Sequence, residues 1–447
     1  MRKIGLLIFL FNSLLLAQET KITVPYSKHT LENGLTVILH EDHTTPIISV
    51  NMLYHVGSGN EKPGRTGFAH LFEHIMFEGS ANVPEGKFDE WLEAAGGSNN
   101  GSTNVDRTNY WENIPSNALE LALFLESDRL GFLLEAMSPE KVDGQRDVVK
   151  NERRQSYENR PYGMVQIALM EKLYPESHPY HWPTIGSMED LSAASYEDVV
   201  EFFNLYYTPN NVSLSIAGDI SPTETLELVE KWFGSIKRGK KAPLIDVTAL
   251  DLKEERRVTL EDKVQLPRIH LAWHSPAIFK PGDAEMDAVA SILTSGKNSR
   301  LYKKLVYDMQ IAQDVTAFQS SNMLGSFFII IATARAEHSL EELEKVIEEE
   351  INLLKSEPPS EREIQRTLNQ IEASFISRLE RVGGFGGKAD QLNHYFFQTG
   401  EPDYFETDLN RYRNLTAESV RNAAETYLTN ARVVISVIPE MISDPSE

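Results

Sequence analysis

His70-Leu71-Phe72-Glu73-His74 can form a metal site only if the chain is helical there, and that demand constrains everything built around it. Successive helix residues turn by about 100°, so His70 and His74 point within about 40° of one another. Glu73 stands about 60° to the other side of His70. Two imidazoles can then share one ion while a carboxylate stands beside its water. The order His-x-x-Glu-His reverses the commoner His-Glu-x-x-His zinc motif. Its neighbours favour a helix. Thr66 reads as the N-cap and Gly79 as the C′ residue, with no proline between them. Phe68, Leu71, Phe72, Ile75 and Met76 form an apolar stripe, leaving His70, Glu73 and His74 on the opposite side. Two incidental histidines on a solvated helix face are the competing reading of these five residues alone.

Two neutral histidines leave a catalytic zinc short of protein ligands, and a carboxylate commonly completes the set. The chain has no cysteine, so thiolate ligands, disulfides and a lipid on an N-terminal cysteine are all excluded. Ser138-Pro139 opens a long helix, serine as N-cap and proline at N1, that should run to about Tyr157. Asp147 and Glu152 lie on it and Glu158 just past its end. Residue physics leaves all three eligible.

The chain has 447 residues, enough for two or three domains with real cores. A net charge of −23 argues against a nucleic-acid partner. Arg2 and Lys3 precede an apolar run from Ile4 to Leu16, with Ala17 as a small residue for cleavage. This pattern predicts an export signal at 1–17 and a periplasmic or secreted protein. The run is shorter than the about 20 residues a bilayer requires, and no other segment reads as a span. No stable membrane span is therefore expected once the signal is cut, although an uncleaved anchor is the alternative.

Leu31 to Glu41 reads as a hairpin turning at Asn33-Gly34, and Ile48 to Val56 and Val212 to Ala217 read as strands. The basic, turn-rich stretch after Lys237 predicts a linker over 236–254. Beyond it the pattern echoes the first half. Strands are expected at Val258–Leu260, Ile269–Trp273 and Phe327–Thr333, and helices at Ala284–Leu293 and Leu340–Leu354. Pro358-Pro359 then precedes a long helical run, as Ser138-Pro139 does. The echo stops at the chemistry, because Ala288 to Leu293 contains no histidine.

A series of further motifs accompanies the zinc signature: Gly64 to Ser80 around it, then Asn100-Gly101-Ser102-Thr103 with Thr108 and Tyr110. Glu152-Arg153-Arg154, Ile185-Gly186, Tyr207 to Asn211, Ala217-Gly218-Asp219 and Ser299-Arg300-Leu301-Tyr302 follow in order. On these residues the chain resembles the pitrilysin/insulinase family of inverted-zincin peptidases, especially the mitochondrial processing peptidase branch and its bacterial relatives. The resemblance implies one Zn2+ per chain held by His70, His74 and Glu152, with Glu73 as catalytic base. It implies an α+β fold of two similar domains, each a mostly antiparallel sheet with helices packed against it. Residues 18–235 would be the catalytic domain and 255–447 an inactive counterpart. Asn100, Gly101, Ser102 and Thr103 would lie on an edge strand that pairs with an extended peptide. Two such domain pairs would close around the peptide, so the expected assembly is a homodimer or a heterodimer with a related chain lacking the zinc motif. The implied function is an exported zinc endopeptidase acting on extended or unfolded peptides; the rival is a non-catalytic scaffold or binding subunit.

Some residues depart from the family pattern. Gln145 stands where many relatives have a second glutamate that supports a ligand, and Thr294 to Ser299 replaces the long glycine-rich loop of the processing peptidase's non-catalytic subunit. Arg335 is a candidate for the arginine that larger relatives supply from their second half. Gly383 to Gly387 lacks the lysine of a phosphate loop and reads as a helix break. His178 and His181 read as part of a packed loop.

Overall fold

A computed structural model describes residues 21–245, 247, 250 and 252–440, so the segment expected as an export signal lies outside the described residues. The first half runs β1 (Ser27–Thr30), β2 (Thr36–Glu41), β3 (Ile47–Tyr54), α1 (Phe68–Ile75), α2 (Lys87–Ala94), β4 (Ser98–Thr103) and β5 (Thr108–Pro115). It continues with α3 (Leu119–Ala136), α4 (Pro139–Arg153), α5 (Val165–Leu173), α6 (Met188–Ala193), α7 (Tyr196–Tyr206), β6 (Val212–Gly218) and α8 (Pro222–Phe233). The second half opens with β7 (Arg256–Asp262), β8 (Arg268–Ser275), α9 (Asp283–Thr294), β9 (Ala312–Ser320) and β10 (Ser326–Ala334). It closes with α10 (Leu340–Ser356), α11 (Glu361–Leu379), α12 (Lys388–Thr399), α13 (Phe405–Arg413), α14 (Ala417–Tyr427) and β11 (Val433–Pro439).

The fold is α+β with two sheets. The first has the order β1-β2-β6-β3-β5-β4 and the second β7-β11-β8-β10-β9. Every pairing is antiparallel except β2 with β6 and β7 with β11. Apart from β1, which has no counterpart in the five-stranded sheet, the halves correspond strand for strand, and α9 follows β8 as α1 follows β3. Both β4 and β9 are edges.

Alternation along β3 explains how the first sheet is covered on both faces. Ile48, Val50, Met52 and Tyr54 join the core formed with Phe68, Leu71 and Phe72 of α1. The intervening Asn51 faces α12, a helix from the other half. Asn393 of α12 donates to the Asn51 backbone oxygen at 3.0 Å and its Oδ1 at 2.8 Å. Asp390 accepts from Asn51 at 3.3 Å and from Asn109 at 3.1 Å. In exchange, Val165, Leu169 and Leu173 of α5 pack on Val433, Ile435 and Val437 of the second sheet. Each half lends one helix to the other.

A buried ion cluster sits beneath β5. Arg129, Glu112 and Glu126 are each at most 1 % exposed. Arg129 donates from Nε to Glu126 at 2.8 Å and from Nη2 to Glu112 at 3.4 Å, with its guanidinium 4.1 Å from the Tyr110 ring centre. Burial and the neighbouring Glu126 raise the Glu112 carboxyl well above the usual range. Removing the cation would strand two acids in a dry core. Arg129→Ala is accordingly expected to destabilise the protein by about 3–5 kcal/mol, read as a lower urea midpoint; an unchanged midpoint would show the cation to be dispensable.

Candidate active site

α1 begins one residue later than the sequence pattern predicts. Gly67, at φ +88°, is its N-cap, not Thr66. The Thr66 hydroxyl instead donates to Asp190 at 2.6 Å. The first free helix N–H groups are satisfied from upstream, because the Glu61 carboxylate accepts from Gly67 at 3.0 Å and Ala69 at 2.8 Å. The helix ends at Ile75, and Gly79 adopts φ +88° in the turn beyond it. Phe68, Leu71, Phe72, Ile75 and Met76 are all buried, as the apolar stripe predicts. Their anchoring turns His70, Glu73 and His74 toward β4 and α4.

α4 starts as expected, with the Ser138 hydroxyl accepting from Lys141 and Pro139 in the first turn. It ends at Arg153, and a π-helical turn carries the chain from Arg154 to Glu158. Of the three candidate acids, Asp147 and Glu152 on α4 and Glu158 at the end of the π-helical turn, only Glu152 meets the histidines. Asp147 pairs with Lys150 at 3.7 Å, and Glu158 with Arg153 at 3.2 Å. Arg153 also donates to the Gly186 carbonyl at 2.7 Å. Gly186, at φ +74°, presses so closely on Gly67 that an added Cβ would lie 2.4 Å from its Cα. This crossing links the end of α4 to the start of α1 and so sets the distance between them.

Glu152 Oε2 lies 3.5 Å from His70 Nε2 and 3.3 Å from His74 Nε2. One ligand atom from each residue falls within 4.8 Å of the others. Donors about 2.0–2.1 Å from a tetrahedral zinc stand about 3.3–3.4 Å apart, close to both separations measured from Glu152 Oε2, so His70, His74 and Glu152 would hold one ion. Burial pushes His70 down to about 4, which keeps the imidazole neutral with a lone pair to donate. A hydrogen bond with His74 holds the Glu152 carboxyl below its ordinary value. The donor set suits zinc.

Glu73 is half-buried beside this group. Burial raises its carboxyl, while the Thr103 hydroxyl, 2.6 Å from Oε2, acts in the opposite sense. Thr103 belongs to β4, where Asn100 is exposed and its Oδ1 accepts from the Gly101 N–H at 2.8 Å. Ser102 accepts from Arg107 at 2.7 Å through both its carbonyl and its hydroxyl. No sequence pattern signals the contact between Thr103 and Glu73, because the two residues stand 30 positions apart on different elements.

Other candidates lie apart from this group. Gln145 donates to Glu78 at 2.6 Å and makes no hydrogen bond to His70, His74 or Glu152. Arg335 donates to the Ala312 carbonyl at 3.2 Å. His178 is buried and stacks on Tyr174 at 4.8 Å between ring centres. Gly383 to Gly387 breaks the chain between α11 and α12 and lies against Ser49 and Asn113.

A family model described as insulinase (peptidase family M16) matches residues 36–181, which contain all four of these side chains, and one described as the peptidase M16 inactive domain matches residues 193–371. The chain belongs to this family of zinc proteases. It is 31 % identical over 368 residues to the zinc protease PqqE of Helicobacter pylori, covering 80 % of this chain and 81 % of that protein. It is 21 % identical over 440 residues to a probable mitochondrial-processing peptidase subunit beta of Arabidopsis thaliana, covering 96 % and 80 %. A crystal structure of a protease from Helicobacter pylori superposes with a TM-score of 0.87 at 28 % identity, covering 94 % of this chain and 100 % of that one.

Proposed function

We propose that this protein is an exported zinc endopeptidase acting on extended or unfolded peptides. The observation that carries the reading is the convergence of His70, His74 and Glu152 on one point with Glu73 alongside. An ion held by these three residues would supply Lewis acidity, acidifying a water and polarising a peptide carbonyl. Glu73 would accept the proton of that water as it attacks the carbonyl carbon, then deliver it to the leaving nitrogen. Half-burial suits this task, since a raised carboxyl is a stronger base once ionised.

The edge position of β4 supports a peptide added as a further strand. The Gly101 N–H, held by its neighbour's side chain, would pass to the incoming backbone, with Asn100 turning away. Residues 18–235 would form the catalytic unit, 236–254 a connector and 255–447 a unit without zinc. No helix among the described residues is long and apolar enough to cross a membrane, and the signal-like start supports export to the periplasm or beyond. One domain pair supplies half of an enclosing chamber, so the working form in this reading is a dimer, with itself or with a related chain lacking the motif.

The test is hydrolysis of a quenched-fluorescence peptide library by the purified protein. Activity should vanish with a chelator and return on adding one zinc per chain. A protein that binds these peptides yet never cleaves them, fully loaded with zinc, would instead be the scaffold subunit.

A further inference from the structure

β4 meets α1 through one face, and its outer edge pairs with no further strand among the described residues. Gly101 and Thr103, two residues apart, share the face toward Glu73. Thr103 donates its hydroxyl to Glu73 Oε2 at 2.6 Å. At Gly101, an added Cβ would lie 3.2 Å from Glu73 Cγ and 3.1 Å from the Tyr110 ring, tighter than side chains ordinarily approach. We infer that β4 positions the base: Thr103 is a positioning residue that holds Glu73 through its hydroxyl, and Gly101 provides the clearance in which Glu73 lies.

The inference rests on the peptidase reading and reassigns Thr103 within it. Its hydroxyl proton is committed to Glu73, with Thr108 Oγ1 3.4 Å away on the other side, so toward a peptide the side chain can only accept. With Oε2 held, Oε1 is the oxygen left for the water. The strand that would align the peptide backbone thus also orients the carboxylate. Arg107 steadies the arrangement by gripping Ser102, the residue between.

The experiment compares Thr103→Val, Thr103→Ser and Gly101→Ala in the zinc-loaded protein. Valine keeps the shape and removes the donor. It should lower kcat about 10–100-fold, with KM and zinc content unchanged, because an unoriented base loses effective concentration. Serine restores the donor and should recover most of the rate. Gly101→Ala should lower kcat by crowding Glu73. A rise in KM at constant kcat in Thr103→Val would make Thr103 a peptide contact, and serine as poor as valine would leave only a packing role; either result overturns the inference. Unfolding midpoints provide a readout that needs no turnover. Thr103→Val, Glu73→Ala and the double variant should shift them non-additively, as a direct hydrogen bond demands. Additive shifts would refute the contact even in a protein with no peptidase activity, while loss of zinc-dependent cleavage in the parent would refute the peptidase reading alone.

Discussion

Glu73→Gln is expected to keep zinc and the fold yet lower peptide turnover about 10²–10⁴-fold, the usual range for losing a general base. Glutamine occupies the same volume and can still accept the Thr103 hydrogen bond through its amide oxygen. It cannot accept the proton of the attacking water at neutral pH. The side chain does not belong to the convergent donor set, which consists of His70, His74 and Glu152, so metal content should stay at one ion per chain. Turnover and metal analysis together decide the matter. Full activity in a zinc-loaded Glu73→Gln protein would remove this residue from the chemistry.

Glu152→Gln should fail differently, by losing the metal. The carboxylate oxygen is the donor that stands 3.3–3.5 Å from both imidazoles, and it alone brings negative charge to the set. A neutral amide oxygen is a poorer partner for a divalent cation. Loss of a residue that merely supports a ligand costs about 10–100-fold in affinity, so loss of a ligand should cost at least that. Zinc content after dialysis should fall below that of Glu73→Gln, and activity with it. Excess zinc should rescue part of the activity, because the two histidines remain. Unchanged zinc affinity would transfer the third position to another acid.

The two variants probe groups whose legibility in the sequence was unequal. His70, Glu73 and His74 could be read together because helix periodicity is local: five consecutive residues determine which side chains share a face. The apolar stripe of Phe68, Leu71, Phe72, Ile75 and Met76 carried the same information, and all five are buried. Glu152 lies 78 residues after His74, where no periodicity reaches; only the family resemblance separated it from Asp147 and Glu158. In the structure that separation follows from the phase of α4 and from the Arg153–Gly186–Gly67 crossing.

Cap chemistry misled at one point. Thr66 has the residue type of an N-cap, yet its hydroxyl goes to Asp190 while Glu61 serves the helix end from six residues upstream of Gly67. The strands β9 and β11 and the helices α12 to α14 were not read from the sequence either. β11 pairs with β7 across most of the second half, a contact that local pattern cannot anticipate.

What the sequence determined by itself was the chemistry available and the elements that carry it: a helix with two imidazoles and a carboxylate on one face, an acid-bearing second helix, and two echoing halves with one zinc motif between them. Only the tertiary structure decided which acid meets the histidines, that Thr103 holds Glu73, and that α5 and α12 cross to the opposite halves. The reason is range. Side-chain direction along a helix or strand follows from neighbouring residues, whereas a contact between distant segments depends on how whole packed surfaces come together.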